Sequence, residues 1–492
     1  MDLISQLPES IVPRILYYCP PAELVRMSVA SKTWFRLTAS FPHLDFTIRN
    51  FRSRESFFKY VEYTTSRFCN QNLTAHRLRL ITTLREPAEL YTVDRCLELL
   101  LQNGVYDLVI NVVNLSESPS ASARYRLPNI LLSVSALSAL TINGCDLPSS
   151  FMLHAVMFKC LGLLCLINVS IDDEVISYLT TSCPFLRVFQ VEACHGLKRF
   201  CVYGHQHLRS VSIQYNTPFE RIDIEAPNLH HLLIKDDYGR GPPQMNLASC
   251  EKLKNVSYYE NSLSNVYIFT DILSNFPFVE NLNLSTSYKC NKLKLSSHSL
   301  RTLVLYSQCD LEKVEFNTPN LVSFCYSVMF IDTLWFQKLR QLFNKKNVFN
   351  VSKLYIRAIY SKEFRELEKL KAIKLPPYEL ELVELKLETQ EESLAHIAFV
   401  DAVLWCCRPR SLTLRSCYPY TALGEHSDVV KFTYKKLLEQ EDQGRTNIKI
   451  VSPSFSSLLM YLPYETKAIS FIKEEVLQEE TDSRRYAGLE IV

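Results

Sequence analysis

Cysteine and histidine are the side chains best suited to hold zinc or to attack a carbonyl. They crowd together once in this chain, at Cys194, His195, Cys201, His205 and His207. A structural zinc site needs four ligands at a closed spacing, usually built on C-x-x-C pairs. No C-x-x-C occurs, and the adjacent Cys406 and Cys407 cannot supply one. The cluster therefore reads as loop histidines beside buried cysteines. His230 and His231 are neighbours in an extended run, where consecutive side chains face opposite ways, so at most one reaches a given face. No metal site and no cofactor is expected.

Phosphate-cradling loops and nucleophile elbows need glycine where φ is positive or where backbone must approach a ligand. Only 10 of the 492 residues are Gly, about 2% against a usual ~7%. The one close pair, Gly239 and Gly241, runs into Pro242-Pro243 where a helix would have to begin. The common nucleotide-binding and hydrolase classes are thereby excluded, and no catalytic residue is expected. Lys+Arg is 54 and Asp+Glu is 52, a balance that lacks the basic excess of a nucleic-acid binder. The longest apolar stretch, 151–171, carries His154, Lys159 and Asn168, which argues against a membrane span. Residues 1–16 carry Asp2, Glu9 and two prolines, which is no signal peptide. The 16 cysteines are scattered and read as free, buried thiols in a reducing compartment, so cytoplasm or nucleus is expected.

What could position a binding surface is a repeat. The pattern apolar-x-x-apolar-x-apolar begins at Val105, Leu137, Leu164, Leu186, Leu208, Leu229, Leu253, Val279, Leu300, Leu321, Val351, Leu382 and Pro409. Successive starts lie 21 to 32 residues apart, close to the period of leucine-rich repeats. Each unit predicts one short strand with its apolar positions turned inward, and stacked strands make a parallel sheet along a concave face. Returns over 173–181 and 396–405 read as helix, while those over 220–227 and 312–319 read as short turns. Residues 363–374 carry Glu/Lys pairs at helical spacing, a solvated helix face. The residues between and after the last two apolar positions of each strand then point outward. They include Gln190, Glu192, Ser212, Gln214, His231, Lys235, Tyr259, Tyr306, Tyr355, Arg357 and Lys386, which are the candidate binding residues for a protein substrate.

The first 46 residues predict three short helices broken by Pro20-Pro21. Pro13 would be costly inside a helix, so the first helix should start late, with Ser10 as its cap and Pro13 in its first turn. The string 7–46, LPESIVPRILYYCPPAELVRMSVASKTWFRLTASFPHLDF, closely resembles the F-box. That resemblance implies docking on a Skp-type adaptor, and through it a cullin, by Leu7, Pro8, Ile11, Ile15, Leu24, Val25, Val29, Ser31, Lys32 and Trp34. The pieces CPFLRVFQVEACHGLKRF, APNLHHLLI and TPNLVSFCYS resemble the degenerate leucine-rich repeats downstream of plant F-boxes, and LWCCRPRSLTLRSC over 404–417 resembles a terminal repeat of that family.

The expected fold is α/β: a three-helix F-box over 1–46, then a leucine-rich-repeat solenoid with parallel strands on the concave face and helices and irregular returns on the convex face. Residues 47–104 are expected as a linker or first irregular repeats, with a strand over 77–80 and a helix over 93–101. The solenoid proper is expected over 105–420, a cap region over 421–473, and a charged, disordered or loosely helical tail over 474–492. Together the resemblances imply a non-catalytic substrate-recognition subunit of an SCF-type (cullin–RING) ubiquitin ligase with an unknown protein substrate. The rivals are a hormone-like small-molecule co-receptor of similar build, to be recognised by a polar cavity on which Arg or Lys converge, and an F-box scaffold outside any ligase.

Overall fold

A computed structural model describes residues 11–19, 21–39, 41–114, 124–149, 151, 158–238, 242–260, 267–269, 273, 276–286, 290–307, 313–331, 333–345, 349–361, 377–387, 393–416, 423–439, 447–451 and 489–491. Leu7, Pro8 and the charged run 363–374 lie outside these residues. Three helices open the chain: α1 (Val12–Tyr18), α2 (Pro21–Ala30) and α3 (Lys32–Ala39). The first starts one residue later than expected, with Ile11 rather than Ser10 as its cap, and Pro13 is its second residue. There the missing N–H costs nothing, because the first-turn donors have no partner within the helix. Ser31 caps α3, its Oγ accepting from the Trp34 N–H at 3.1 Å. Val12, Leu16, Trp34 and Phe41 form the small core, with Leu24, Met27 and Leu37 packed against it.

The chain divides into two compact units, residues 1–232 with 243–252, and 233–242 with 253–492. In the first, helices α4 (Arg54–Asn70), α5 (Pro87–Gln102) and α6 (Asp173–Ser182) alternate with strands β1 (His43–Thr47), β2 (Arg77–Leu84), β3 (Asp107–Asn114), β4 (Tyr125–Arg126), β5 (Ala139–Asn143), β6 (Cys145–Asp146), β7 (Leu163–Ile167), β8 (Val188–Glu192), β9 (Arg199–Val202), β10 (Ser210–Tyr215) and β11 (Arg221–Ile224). β12 (His231–Asp236) falls at the division, and β13 (Gln244–Asn246) belongs to the first unit. β1, β2, β3, β5, β7, β8 and β10 pair in that order, all parallel. Their inward positions stack in one row, Leu44, Leu78, Leu108, Leu140, Leu164, Phe189 and Val211, every one buried. A slip of one residue would turn that whole row to solvent, so burial itself sets the register.

Several expectations change here. The ladder begins at His43, inside the segment read as F-box, and of the two readings of residues 47–104 the chain follows the first-repeat one, with the expected strand inside β2 and the expected helix inside α5. The third repeat begins at Leu161 rather than Leu164: Leu161, Leu164 and Leu166 are the buried trio. The return over 220–227 contains a strand, β11, which pairs with β9 and β13 in a second parallel sheet. A repeat of 21 or 22 residues leaves too little chain for a helical return, and extended returns at equal register find partners in their neighbours.

The second unit holds β14 (Asn255–Glu260), β15 (Tyr267–Phe269), β16 (Asn281–Thr286), β17 (Cys290–Ser296), β18 (Thr302–Ser307), β19 (Lys313–Asn317), β20 (Ser323–Ile331), α7 (Thr333–Phe343), β21 (Lys353–Ser361), β22 (Tyr378–Leu387), α8 (Ser393–Cys406), β23 (Cys407–Ser416), α9 (Leu423–Glu439), β24 (Asn447–Val451) and β25 (Leu489–Ile491). β14, β16, β18 and β20 to β25 form its parallel ladder. β15, β17 and β19 form a second sheet, so the turn expected over 312–319 is also a strand. The repeat expected from Leu382 starts at Leu380, since Leu380, Val383 and Leu385 are the buried trio. Pro409 stands opposite Leu380 of β22 in register and lies outside the stretch of β23 that pairs with β24. Within 474–492, read as a tail, Leu489–Ile491 pairs with β24.

Candidate functional site

The three helices turn part of their apolar surface outward. Val29 is 83% exposed and Ile11 41%. Lys32 is exposed, while Ile15, Leu24 and Ser31 are half-buried. The Val25 side chain is outside the described set. Trp34 is 6% exposed and belongs to the core, which corrects its assignment to the docking face: its indole is the largest filler available for a three-helix core this small. Ser31 acts through its cap on α3. Exposed Tyr17 and Tyr18, in edge contact at 5.3 Å, were not singled out in the sequence, and only their place in the last turn of α1 marks them.

The eleven ladder candidates all fall on the face away from the core, and they divide between the units. In the first, Gln190 and Glu192 are half-buried on β8, and the Gln190 Nε2 donates to Glu192 Oε1 at 2.5 Å. Gln214 on β10 stands opposite Glu192 in register, as Ser212 does opposite Gln190. His231 is exposed while His230 is half-buried, the alternation expected of a strand. Lys235, on the second-unit side of the division, is half-buried.

In the second unit the register aligns Tyr259, Ser285, Tyr306, Ser327, Arg357, Lys386 and Arg415 across consecutive strands. The rings of Tyr259 and Tyr306 come within 6.2 Å, and Ser285 between them is buried. Burial, with Tyr259 and Cys325 nearby, pushes the Tyr306 phenol up, against the pull of Arg357 and Lys386. The next row aligns Cys325, Tyr355 and Glu384, and burial, then the Glu384 charge, pushes the Tyr355 phenol up. Arg415 Nε donates to Glu384 Oε1 at 2.8 Å. Arg415 and Glu384 were missed in the sequence, although Arg415 follows its last apolar position as Arg357 and Lys386 follow theirs. The result is a cationic row edged by phenols, suited to holding a polypeptide by side-chain contact.

The cysteine and histidine cluster does not converge. Cys194 Sγ donates to Leu166 O at 3.4 Å, exposed His195 meets Asn168 Oδ1 at 3.1 Å, and buried His205 meets Cys183 O at 3.0 Å. Among the described residues no three His, Cys, Asp or Glu side chains could hold a metal ion, and no helix is long and apolar enough to cross a membrane.

Comparison with known proteins matches two segments of the chain. The F-box domain model matches residues 4–45, and the leucine-rich-repeat model of the FBD-associated F-box protein At5g56370 matches residues 93–275. The chain thus carries an F-box followed by leucine-rich repeats, and it is similar to plant F-box/leucine-rich-repeat proteins. It is 24% identical over 344 residues to the Arabidopsis thaliana FBD-associated F-box protein At5g22730, covering 63% of this chain and 66% of the relative. It is 24% identical over 240 residues to the putative F-box/LRR-repeat protein At5g02930 of the same plant, covering 48% of each. With the plant's F-box/LRR-repeat protein 25 it shares 24% identity over 240 residues, covering 48% of this chain and 86% of that one. The open helical face lies in the F-box, and β8 and β10 lie within the matched repeats. The Tyr/Arg row of β18 to β23 lies beyond them, where the strands keep the same inward spacing.

Proposed function

We propose that this F-box/leucine-rich-repeat protein is the substrate-recognition subunit of an SCF-type ubiquitin ligase, working in the cytoplasm or nucleus. The observation that carries the reading is the exposure of Val29 and Ile11 on an F-box whose own core is already filled by Trp34, Leu16 and Phe41. Apolar side chains left outside a complete core are what a helical adaptor would cover. The open faces of the ladders then offer the surface for a target protein. No bond is made or broken by this chain: tethering alone raises the effective concentration of a target lysine near the conjugating enzyme.

The test is co-purification of the full chain with a Skp-type adaptor and cullin. Wild type should retain both, and I11D/V29D and L7A/P8A should lose both while keeping their melting temperature. Normal adaptor capture by I11D/V29D would overturn the assignment of this face. Absence of adaptor from the wild type would favour a scaffold working outside any ligase.

A further inference from the structure

A cleft of about 300 Å³ opens within the first unit, between the F-box helices and the first turn of the ladder. That is enough for a bicyclic small molecule, at the lower end of the usual range for ligand pockets. Its walls differ in kind. One side is apolar: Leu16 and Phe41 contribute to it, and the Phe41 ring stacks on His43 at 4.9 Å with 29° between planes. The other carries Arg67 from α4, and Arg77 and Arg79 from β2.

The lining holds three arginines and one carboxylate, Asp45. Arg77 is committed in part, with its Nε 3.1 Å from Asp107 Oδ2. Arg67 is held from behind by aromatic rings, its guanidinium 5.8 Å from the centroids of both Tyr63 and Phe68. Its Nε–H is buried and meets no acceptor among the described residues. Guanidinium groups match carboxylate and phosphate oxygens in a two-pronged geometry, and the terminal nitrogens of Arg67 are the ones that would reach a ligand in the cleft. Among the described residues assigned to adaptor docking only Leu24 lines the cleft, so Ile11, Ile15, Val29, Ser31, Lys32 and Trp34 lie outside it.

We propose that this cleft binds a small organic anion, its planar apolar body against the Phe41/His43 wall and its carboxylate or phosphate on Arg67 and Arg79. The site is independent of the ligase reading, because it can be assayed on the isolated full chain.

The experiment is calorimetric titration of that chain with 2-naphthyl phosphate, 2-naphthoate, neutral 2-naphthol and inorganic phosphate. At least one naphthyl anion should bind saturably at one site, with 2-naphthol and inorganic phosphate each at least tenfold weaker. The better of the two anions identifies the charged group. Arg67→Gln and Arg79→Gln should each weaken it tenfold or more. Arg79 is exposed, so Arg79→Gln separates loss of the site from loss of the fold, and adaptor capture should persist in both variants. No saturable binding, equal binding of 2-naphthol, or unchanged affinity in both Arg variants would overturn the proposal.

Discussion

Arg54 opens α4 and Glu89 lies in the first turn of α5, and the Arg54 Nη2 donates to both Glu89 carboxylate oxygens, at 2.7 and 2.6 Å. The same guanidinium reaches Thr83 O at 2.8 Å, and Glu89 Oε2 also accepts from the Arg85 N–H at 2.6 Å. One ion pair thus ties two helices to the end of β2.

Burial pushes the Glu89 carboxyl up, but the hydrogen bonds from Arg54, Arg85 and Glu86 and the Arg54 charge outweigh it and hold it below the ordinary 4.5. A depressed carboxyl contributes stability that is present above its unfolded pKa and lost as pH falls through its folded value. Glu89→Gln should therefore cost roughly 1.5 to 3 kcal/mol at neutral pH, the range for hydrogen bonds to charged groups. Urea unfolding of both forms at pH 7 and pH 3.5 checks this, with the gap narrowing in acid. A gap independent of pH would mean that the charge contributes nothing.

His205 offers the opposite ionisation. Burial lowers its pKa below 6.5, against the pull of its hydrogen bond to Cys183 O. The unfolded chain then takes up the proton first, so stability is full above about 6.5 and falls as pH drops toward the folded value. His205→Gln removes this dependence, and the stability difference between wild type and variant should shrink from pH 7.5 to pH 5.5. Thermal melts at the two values measure it.

Burial pushes the Cys145 thiol up to about 12 and the Cys194 thiol up to about 11, whereas Cys160 is exposed. Reactivity follows thiolate and access. Brief alkylation of the native chain at pH 8 should label Cys160 and spare Cys145 and Cys194, as read by peptide mass mapping. The denatured, unreduced chain should titrate all 16 cysteines as free thiols.

Core and open face should separate cleanly in the ladder. Leu303 is fully buried, and Leu303→Ala should cost about 2 to 5 kcal/mol through the cavity it leaves. Charge reversal at Lys235, Arg357 and Lys386 should leave the melting temperature nearly unchanged, as surface substitutions usually do, and should weaken capture of the target protein. If melting and capture fall together, these side chains are structural.

The sequence by itself determined the repeat frame and the F-box. Inward positions such as Leu303 and Leu305 must alternate to bury one face, so spacing alone reveals each strand and the outward side chains between. Ambiguity arose where apolar residues ran on: Leu163, Leu164 and Leu166 fit two frames, and only the pairing of Leu164 with Leu140 selects one. Local patterns also say nothing of contacts between elements. The F-box resemblance places Trp34 on the docking face without saying which side chains the three helices turn inward, and Trp34 packs in one core with Leu16. The returns at β11 and β19 became strands only because neighbours at equal register supply their hydrogen bonds. The arginine cleft gathers Leu16, Phe41, Arg67 and Arg79 from a helix, a loop, a second helix and a strand. No window of sequence holds them together, because their proximity comes from the stacking of β1 on β2 beneath the F-box helices, a long-range packing decision that the tertiary structure alone could make.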